Sequence, residues 1–537
     1  MLILAGVSIA TLTGKNGIIT QAQKAKNEME KAQKEENEIL EELAGKITGE
    51  EFDFTDIQLG WTLGNSLDAY GIGQNQPIEE YETQWDNPIT TKAMIQKIKE
   101  LGFDTILIPI TWFEHIDDEN NIDEAWMARV KEVVDYGIDS NLNVIINTHH
   151  DDKNLGLEKK EVDFEEIINK YKKIWEQIAD TFKDYPQNLL FEVLNEPRAV
   201  INDEDVWSPT DSLIYTNLNK LTSELLKSIR NTGSNNLNRY VLIPTYGTLI
   251  TKEALENLEI PQDDHIAISV HGYIEHDYCR QLDTVFTDEI KENIRYKLEL
   301  IGNFSKENNV PAIITELAAV DKADREEWVK NMYYYAAKNN IPAIWWDNGS
   351  YYEIFNRNEL KATDQETIDT LKTYYYLTKN VDSGKNVIDD INYTNNVEYN
   401  EGNMGIKKVN GRNRYFVNMN VAANTGVRFK FSDIYELSDQ KVYKFSCRIK
   451  TNMNSLKIRY VLNFYDKNDK LIYSKNYSDI TKGLVDGTKE EYLFEELMLV
   501  DGAYKVQLER LNVSPFETAV AQDINFELYD ISLKCAE

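Results

Sequence analysis

Only three cysteines, Cys279, Cys447 and Cys535, are spread over 537 residues. They are too few for a disulfide framework and too scattered for a metal cluster, and no CxxC pair occurs. The chain also lacks an HExxH helix and a GxxxxGKS/T phosphate loop. It therefore predicts no structural zinc, no nucleotide and no other cofactor. Positive charge is scarce: 58 Lys and Arg stand against 91 Asp and Glu, a net charge of −33. Such a surface repels nucleic-acid phosphates and anionic lipid headgroups, which excludes nucleic acid as a partner and suits a neutral substrate. Plain solubility accounts for the same acidity, so charge alone names no ligand. Long apolar runs are missing too. Met1 to Ala10 is apolar, but a bilayer span takes about 20 residues, and no positive n-region of a signal peptide precedes it. The nine tryptophans end at Trp346, so the C-terminal part has none.

Three regions of different pattern follow. In residues 1–50, Ile18, Ala22, Ala25, Met29, Ala32, Ile39 and Leu43 recur at three-, four- and seven-residue steps, which predicts one long charged helix with a narrow apolar stripe. The apolar start, then Thr13-Gly14-Lys15-Asn16-Gly17-Ile18, then the Lys/Glu-rich stretch resembles the leader helix of pilin-like proteins. That resemblance implies attachment to a membrane or cell surface through the N-terminus, and an extracellular or cell-surface location. A solvated helical extension is the alternative reading.

From 51 to 380, eight short apolar runs alternate with helical patterns. The runs are 57–63, 103–110, 142–148, 189–194, 239–244, 265–270, 310–315 and 341–346. Runs hydrophobic on both faces belong to parallel sheets, and eight βα units predict an α/β fold of the (β/α)8 TIM-barrel type. A doubly wound sheet is the alternative, but no Gly-rich fingerprint follows the first run. Residues 381–395 are polar and aperiodic and read as a linker. Beyond them, Tyr443, Phe445, Cys447 and Ile449 alternate with polar neighbours, as do Tyr504, Val506 and Leu508. Period two predicts half-buried antiparallel strands, hence an all-β sandwich over 396–537, with Cys447 as a small inward core residue. Many such sandwiches bind glycans, but the lack of tryptophan argues against that role here.

The chemistry sits where the predicted barrel strands end, since a barrel collects its functional groups at the C-terminal rim. Asn195-Glu196-Pro197 closes one run and Thr315-Glu316 another, 120 residues later. Two carboxylates brought together there can hydrolyse a glycoside: one protonates the leaving oxygen, the other attacks or activates water. Asn65, His149, His150, Asn195, His271, Tyr273 and Trp346 fall at other strand ends. Asn195 can bond a sugar 2-hydroxyl, His271 and Tyr273 can orient the carboxylates, and Trp346 offers a flat face to a pyranose ring. Taken singly, each is as readily a structural residue. Trp345, pointing the opposite way along its strand, reads as core.

Several strings together carry a family resemblance: Gly64-Asn65-Ser66-Leu67-Asp68, Ile108-Pro109-Ile110-Thr111-Trp112, His149-His150-Asp151, Leu194-Asn195-Glu196-Pro197-Arg198, His271-Gly272-Tyr273, Thr315-Glu316 and Trp345-Trp346-Asp347-Asn348-Gly349. In order over 57–350, they resemble glycoside hydrolase family 5, in particular its endoglucanase-like members. The resemblance implies a retaining endo-β-glycanase acting on cellulose, xyloglucan, mixed-linkage glucan or mannan, with Glu196 as acid/base and Glu316 as nucleophile. One position departs from the family pattern. Leu107 stands where that pattern has an arginine just before Ile-Pro, and its absence predicts a raised pKa on Glu316 and an acid-shifted loss of activity. The reading of another class is a surface adhesion protein that keeps a sugar-binding groove but little catalysis.

Overall fold

The computed structural model describes residues 52–388, except 75 and 153–154, and most of 404–535. The predicted N-terminal helix lies outside the described residues. Eight parallel strands close into a barrel: β1 (Leu59–Leu63), β2 (Thr105–Ile108), β3 (Asn143–Asn147), β4 (Leu189–Glu192), β5 (Val241–Pro244), β6 (Ile266–His271), β7 (Ala312–Leu317) and β8 (Ala343–Asp347). Each pairs with its neighbour in sequence, and β8 closes onto β1, Leu59 opposite Ala343. Helices lie between them, among them Lys92–Glu100, Glu124–Asp139 and Glu161–Phe182. This is the predicted fold, with strand ends moved by one or two residues.

Alternation along the strands layers the barrel interior. The floor is apolar: Leu107, Ile145, Leu190, Leu242, Ala267, Ile313 and Ile344, one from each of β2 to β8, packed over Ile57 and Phe54. β1 contributes Gly60, because a Cβ there would stand 2.7 Å from Ile344 Cγ1. Two residues further along each strand the character changes. Thr62, Asn147, Glu192, Ser269, Thr315 and Trp346 follow the floor positions of their strands, and all are buried. The barrel thus has an oily base and a polar upper layer, and the strand ends open above it.

One buried cation ties the base together. The Arg239 guanidinium donates to Asn236 Oδ1 (2.7 Å), to the carbonyls of Pro186 (2.9 Å) and Leu189 (2.6 Å), and to those of Phe182 (3.1 Å) and Tyr185 (2.9 Å). It satisfies the end of the helix Glu161–Phe182 and the entry to β4 at once, where bare carbonyls would be costly.

The C-terminal domain is two antiparallel sheets, of six and five strands among the described residues. Tyr415, Phe445, Cys447, Ile449 and Leu528 of one face Phe429, Tyr460, Leu462, Phe464 and Val506 of the other. The Phe445 and Tyr460 rings stack at 4.3 Å. Cys447 is buried and its thiol is pushed up to about 12 by desolvation. Lys385–Asn386, inside the stretch expected to be a linker, instead pairs with the final strand, Gln522–Cys535. The backbone there has partners, which polarity of sequence does not reveal. The sandwich sits against the barrel: Val442 joins the barrel's core with Leu497 and Leu499 packed on it, and Asp501 bonds Lys330 (2.7 Å) and the Tyr374 hydroxyl (2.9 Å).

Arg239→Lys keeps the charge but loses the fork, leaving several buried carbonyls unpaired. It is expected to cost about 3 kcal/mol of stability, read from denaturant unfolding; an unchanged midpoint would show that the fork is dispensable.

Candidate active site

Register decides where Glu316 points. Ile314 pairs with Val270 and with Ala343, yet Glu316 pairs with His271 and Leu317 with Trp345. β7 therefore carries one extra residue at Thr315–Glu316, a bulge that opposes two residues to one. With Ile313 in the floor, simple alternation would put Thr315 inside and turn Glu316 outward. The bulge re-aims Glu316 into the mouth of the barrel, where it is 5% exposed.

Glu196 reaches the same place from the segment after β4. A carboxylate oxygen of Glu196, one of Glu316 and a ring nitrogen of His271 lie within 4.8 Å of one another. His271 Nδ1 sits between the two acids, 3.0 Å from Glu196 Oε1 and 3.6 Å from Glu316 Oε2. The Tyr273 hydroxyl donates to Glu316 Oε2 at 3.1 Å. His149 presents Nε2 to Glu316 Oε1 at 3.9 Å and stacks on Trp346, rings 5.3 Å apart and 6° from parallel. Gly64 leaves room for that indole: a Cβ would come within 2.9 Å of Trp346 Cζ2. Asn195 is buried beside Glu196, and its Oδ1 has no hydrogen-bond partner among the described residues.

The remaining expected residues stand further out. His150 faces the buried Asp68, Nε2 to Oδ2 3.6 Å, and its ring meets Tyr70 and Trp85. Asn65 adopts a positive φ of 59° and its carbonyl accepts from Asn87 Nδ2 at 2.9 Å, so it shapes the loop after β1. Trp345 is core, its Nε1 donating to the Tyr352 carbonyl. Of donor clusters with metal-like spacing, the described residues hold two, Asp68/His149/His150 and Glu196/His271/Glu316.

Four contributors were not singled out from sequence. Arg198 bonds Glu196 through NH1 (2.9 Å to the carbonyl, 3.3 Å to Oε2), pairs with Asp205 and lies over Trp207. Arg357 pairs with Asp347 at 3.2 Å and bonds the Gly64 carbonyl and Ser66, closing the β1–β8 seam. Asn147 and Glu192 lie in the polar layer below the site. Glu192 had a signal: a carboxylate inside an apolar run, on the inward alternation, is rarely incidental.

Burial pushes Glu316 up to about 8; the positive His271 ring opposes this, and Glu196 and Glu192 add to it. Burial also works against the charge on Glu196, but the hydrogen bond and charge of His271, then Arg198, hold it below its ordinary value. Burial would depress His271, yet the charge of Glu316 and the contact with Glu196 raise it to about 9. Over the range between the two carboxyl values the pair keeps one proton, as a coupled unit.

A family model, Cellulase (glycosyl hydrolase family 5), matches residues 68–352, just over half of the chain. The chain belongs to glycoside hydrolase family 5. Endoglucanase A of Clostridium longisporum is 36% identical over 334 residues, covering 59% of this chain and 64% of that protein's length. A solved broad-specificity endoglucanase from the same organism superposes with a TM-score of 0.57 at 35% identity, over 60% of this chain and 97% of that one. A xyloglucan-specific endo-β-1,4-glucanase from a metagenomic library, solved with cellotriose, gives 0.54 at 31% identity, over 59% and 96%. All three similarities fit the barrel in length, and the barrel is accordingly an O-glycosyl hydrolase domain.

Leu107 lies in the floor with Ile145, and the raised Glu316 accords with the missing cation, although burial is the larger cause. Because the acids share one proton, the value of about 8 governs the alkaline limb: as pH rises through it the pair loses its last proton and the leaving group its acid. The effect of position 107, expected from sequence on the acid side, therefore falls on the alkaline side: a cation at 107 favours the ionised pair, so Leu107→Arg is expected to move the alkaline limb of kcat/KM to lower pH. Coincident limbs in parent and variant would show that position 107 does not act on the site.

Proposed function

We propose that the barrel is a retaining endo-β-glycanase cleaving β-1,4-linked glucan by double displacement. The observation that carries this is the spacing of the acids. Oxygens of Glu196 and Glu316 within 4.8 Å suit the short carboxyl spacing of a retaining enzyme, about 5–5.5 Å, better than the roughly 6.5–9.5 Å an inverting one keeps for its water. Glu316 attacks the anomeric carbon, and Glu196 protonates the leaving oxygen, then deprotonates the water that hydrolyses the glycosyl-enzyme.

The proton must sit on Glu196 when the bond breaks, whereas in the empty site Glu316 holds it more tightly. Exposure explains the exchange. Glu196 has 27% of its side chain exposed and Glu316 has 6%. A bound sugar covers Glu196, desolvates it and raises it, while the positive charge growing at the anomeric carbon favours ionised Glu316. His271, in contact with both, is placed to pass the proton. Asn195 Oδ1 meets the sugar 2-hydroxyl, and Trp346, braced by His149, forms the apolar floor under the ring.

Cellulose, xyloglucan and mixed-linkage glucan are the substrates favoured, with mannan next. The names of the similar endoglucanases support this, as do Trp207 and Tyr351, left exposed on the loops after β4 and β8 where sugar faces can stack. A polymer of that size does not enter a cell, which supports an extracellular or cell-surface location. Attachment through the N-terminus would put the barrel there. The sandwich, buried against the barrel's helices, is read as its support.

Glu196→Gln and Glu316→Gln should each lower turnover of an aryl β-glycoside by about a thousandfold or more, and parental turnover in either would end the assignment. Reducing-end release on cellulose, xyloglucan, mannan and xylan identifies the polymer; binding without product would support the adhesion reading.

A further inference from the structure

The polar layer under the carboxylates holds a pair of residues that the reaction scheme leaves unused. Asn147 and Glu192 are both fully buried, on adjacent strands β3 and β4. The Asn147 amide has one orientation available. The Ile110 backbone N–H donates to its Oδ1 at 3.2 Å, so that atom is the oxygen. Its Nδ2 then carries two protons, one donated to Glu192 Oε2 at 2.9 Å and one directed at His149 Nδ1, 3.3 Å away. A nitrogen that receives a hydrogen bond carries no proton, so the His149 proton is on Nε2, the atom that faces Glu316 Oε1 at 3.9 Å. The same Ile110 accepts from the His149 backbone N–H at 2.8 Å, so one residue of the loop after β2 sets both the amide and the ring.

We propose that Glu192 and Asn147 are positioning residues for the nucleophile: together they hold His149 as the neutral, Nε2-protonated tautomer, with its N–H turned to Glu316. This rests on Glu316 being the nucleophile as read above. A neutral donor suits the position. It stabilises the carboxylate before attack and when it is released, and it adds no second cation beside His271 that would hold Glu196 ionised. Burial raises Glu192, against the charge of His271 and the bond from Asn147. The stacked Trp346 leaves the His149 ring little freedom to turn. Around the pair, Glu192 faces Ser269 and His271 from β6 and Thr315 and Glu316 from β7, and His149 faces Asp68 and His150, with donor atoms within 4.8 Å of one another.

The decisive measurement is the 15N spectrum of the full chain labelled in histidine, with His149 assigned by its loss in His149→Gln. The expected signature is protonated Nε2 and bare Nδ1 at the pH of activity. A proton on Nδ1, or on both nitrogens, overturns the proposal whatever the enzyme's rate. Kinetics give the second arm. Asn147→Leu should lower kcat by about tenfold or more with KM within about twofold, and should mix the two tautomers. Glu192→Leu should act in the same direction, and Glu192→Gln, which keeps an oxygen for the amide, should recover most of the loss. A folded Asn147→Leu with parental kcat and an unaltered His149 spectrum would overturn it. The spectrum does not depend on turnover, so failure of the glycosidase assignment and failure of this inference are distinguishable.

Discussion

A single imidazole nitrogen, His271 Nδ1, stands between the buried carboxylate of Glu316 and the half-buried one of Glu196, and the rest of the site is arranged around that contact. Two like charges at this distance in a dry pocket would otherwise drive one acid to neutrality or push the loops apart. The cation lets one carboxylate stay ionised while the pair retains a proton. The bulge in β7, the seat of Glu196 after β4 and the Tyr273 hydroxyl are all geometry in the service of that arrangement.

The layering of the barrel explains how such a charged group is tolerated. Below it lies a floor of aliphatic side chains, with Leu107 among them, which fills the barrel and keeps water out. Between floor and site comes one layer of short polar groups and Glu192. Within it Asn147 bonds Glu192 and the ring of His149 rather than solvent. Stability comes from the lower level and reactivity from the upper, and the two are joined by strands only four to six residues long. The price is a set of buried polar atoms whose orientation has to be maintained, which is the usual cost of preorganising a site.

Much of this could be seen in the linear chain. The eight apolar runs marked the barrel strands because a strand buried on both faces must be apolar, and such runs are rare elsewhere. Strand ends marked the carboxylates, His149, His271, Tyr273 and Trp346 because a barrel concentrates its exposed polar ends on one rim. Asn147 and Glu192 were harder to see, since they lie 45 residues apart and one inward polar residue has no meaning until its neighbour on the next strand is known. Arg357 and the pairing of Lys385–Asn386 were hidden for the same reason: each acts through a distant contact.

Residue order alone determined the (β/α)8 class, the all-β character of the C-terminal domain and the strand-end places of Glu196 and Glu316, since periodicity and element length are local properties that side-chain chemistry dictates. Tertiary structure alone decided that Glu316 faces inward, because one inserted residue in β7 reverses an alternation that the string of letters cannot show. It also decided which acid is the more deeply buried, and so where the shared proton rests, because desolvation depends on what other parts of the chain bring to cover each oxygen.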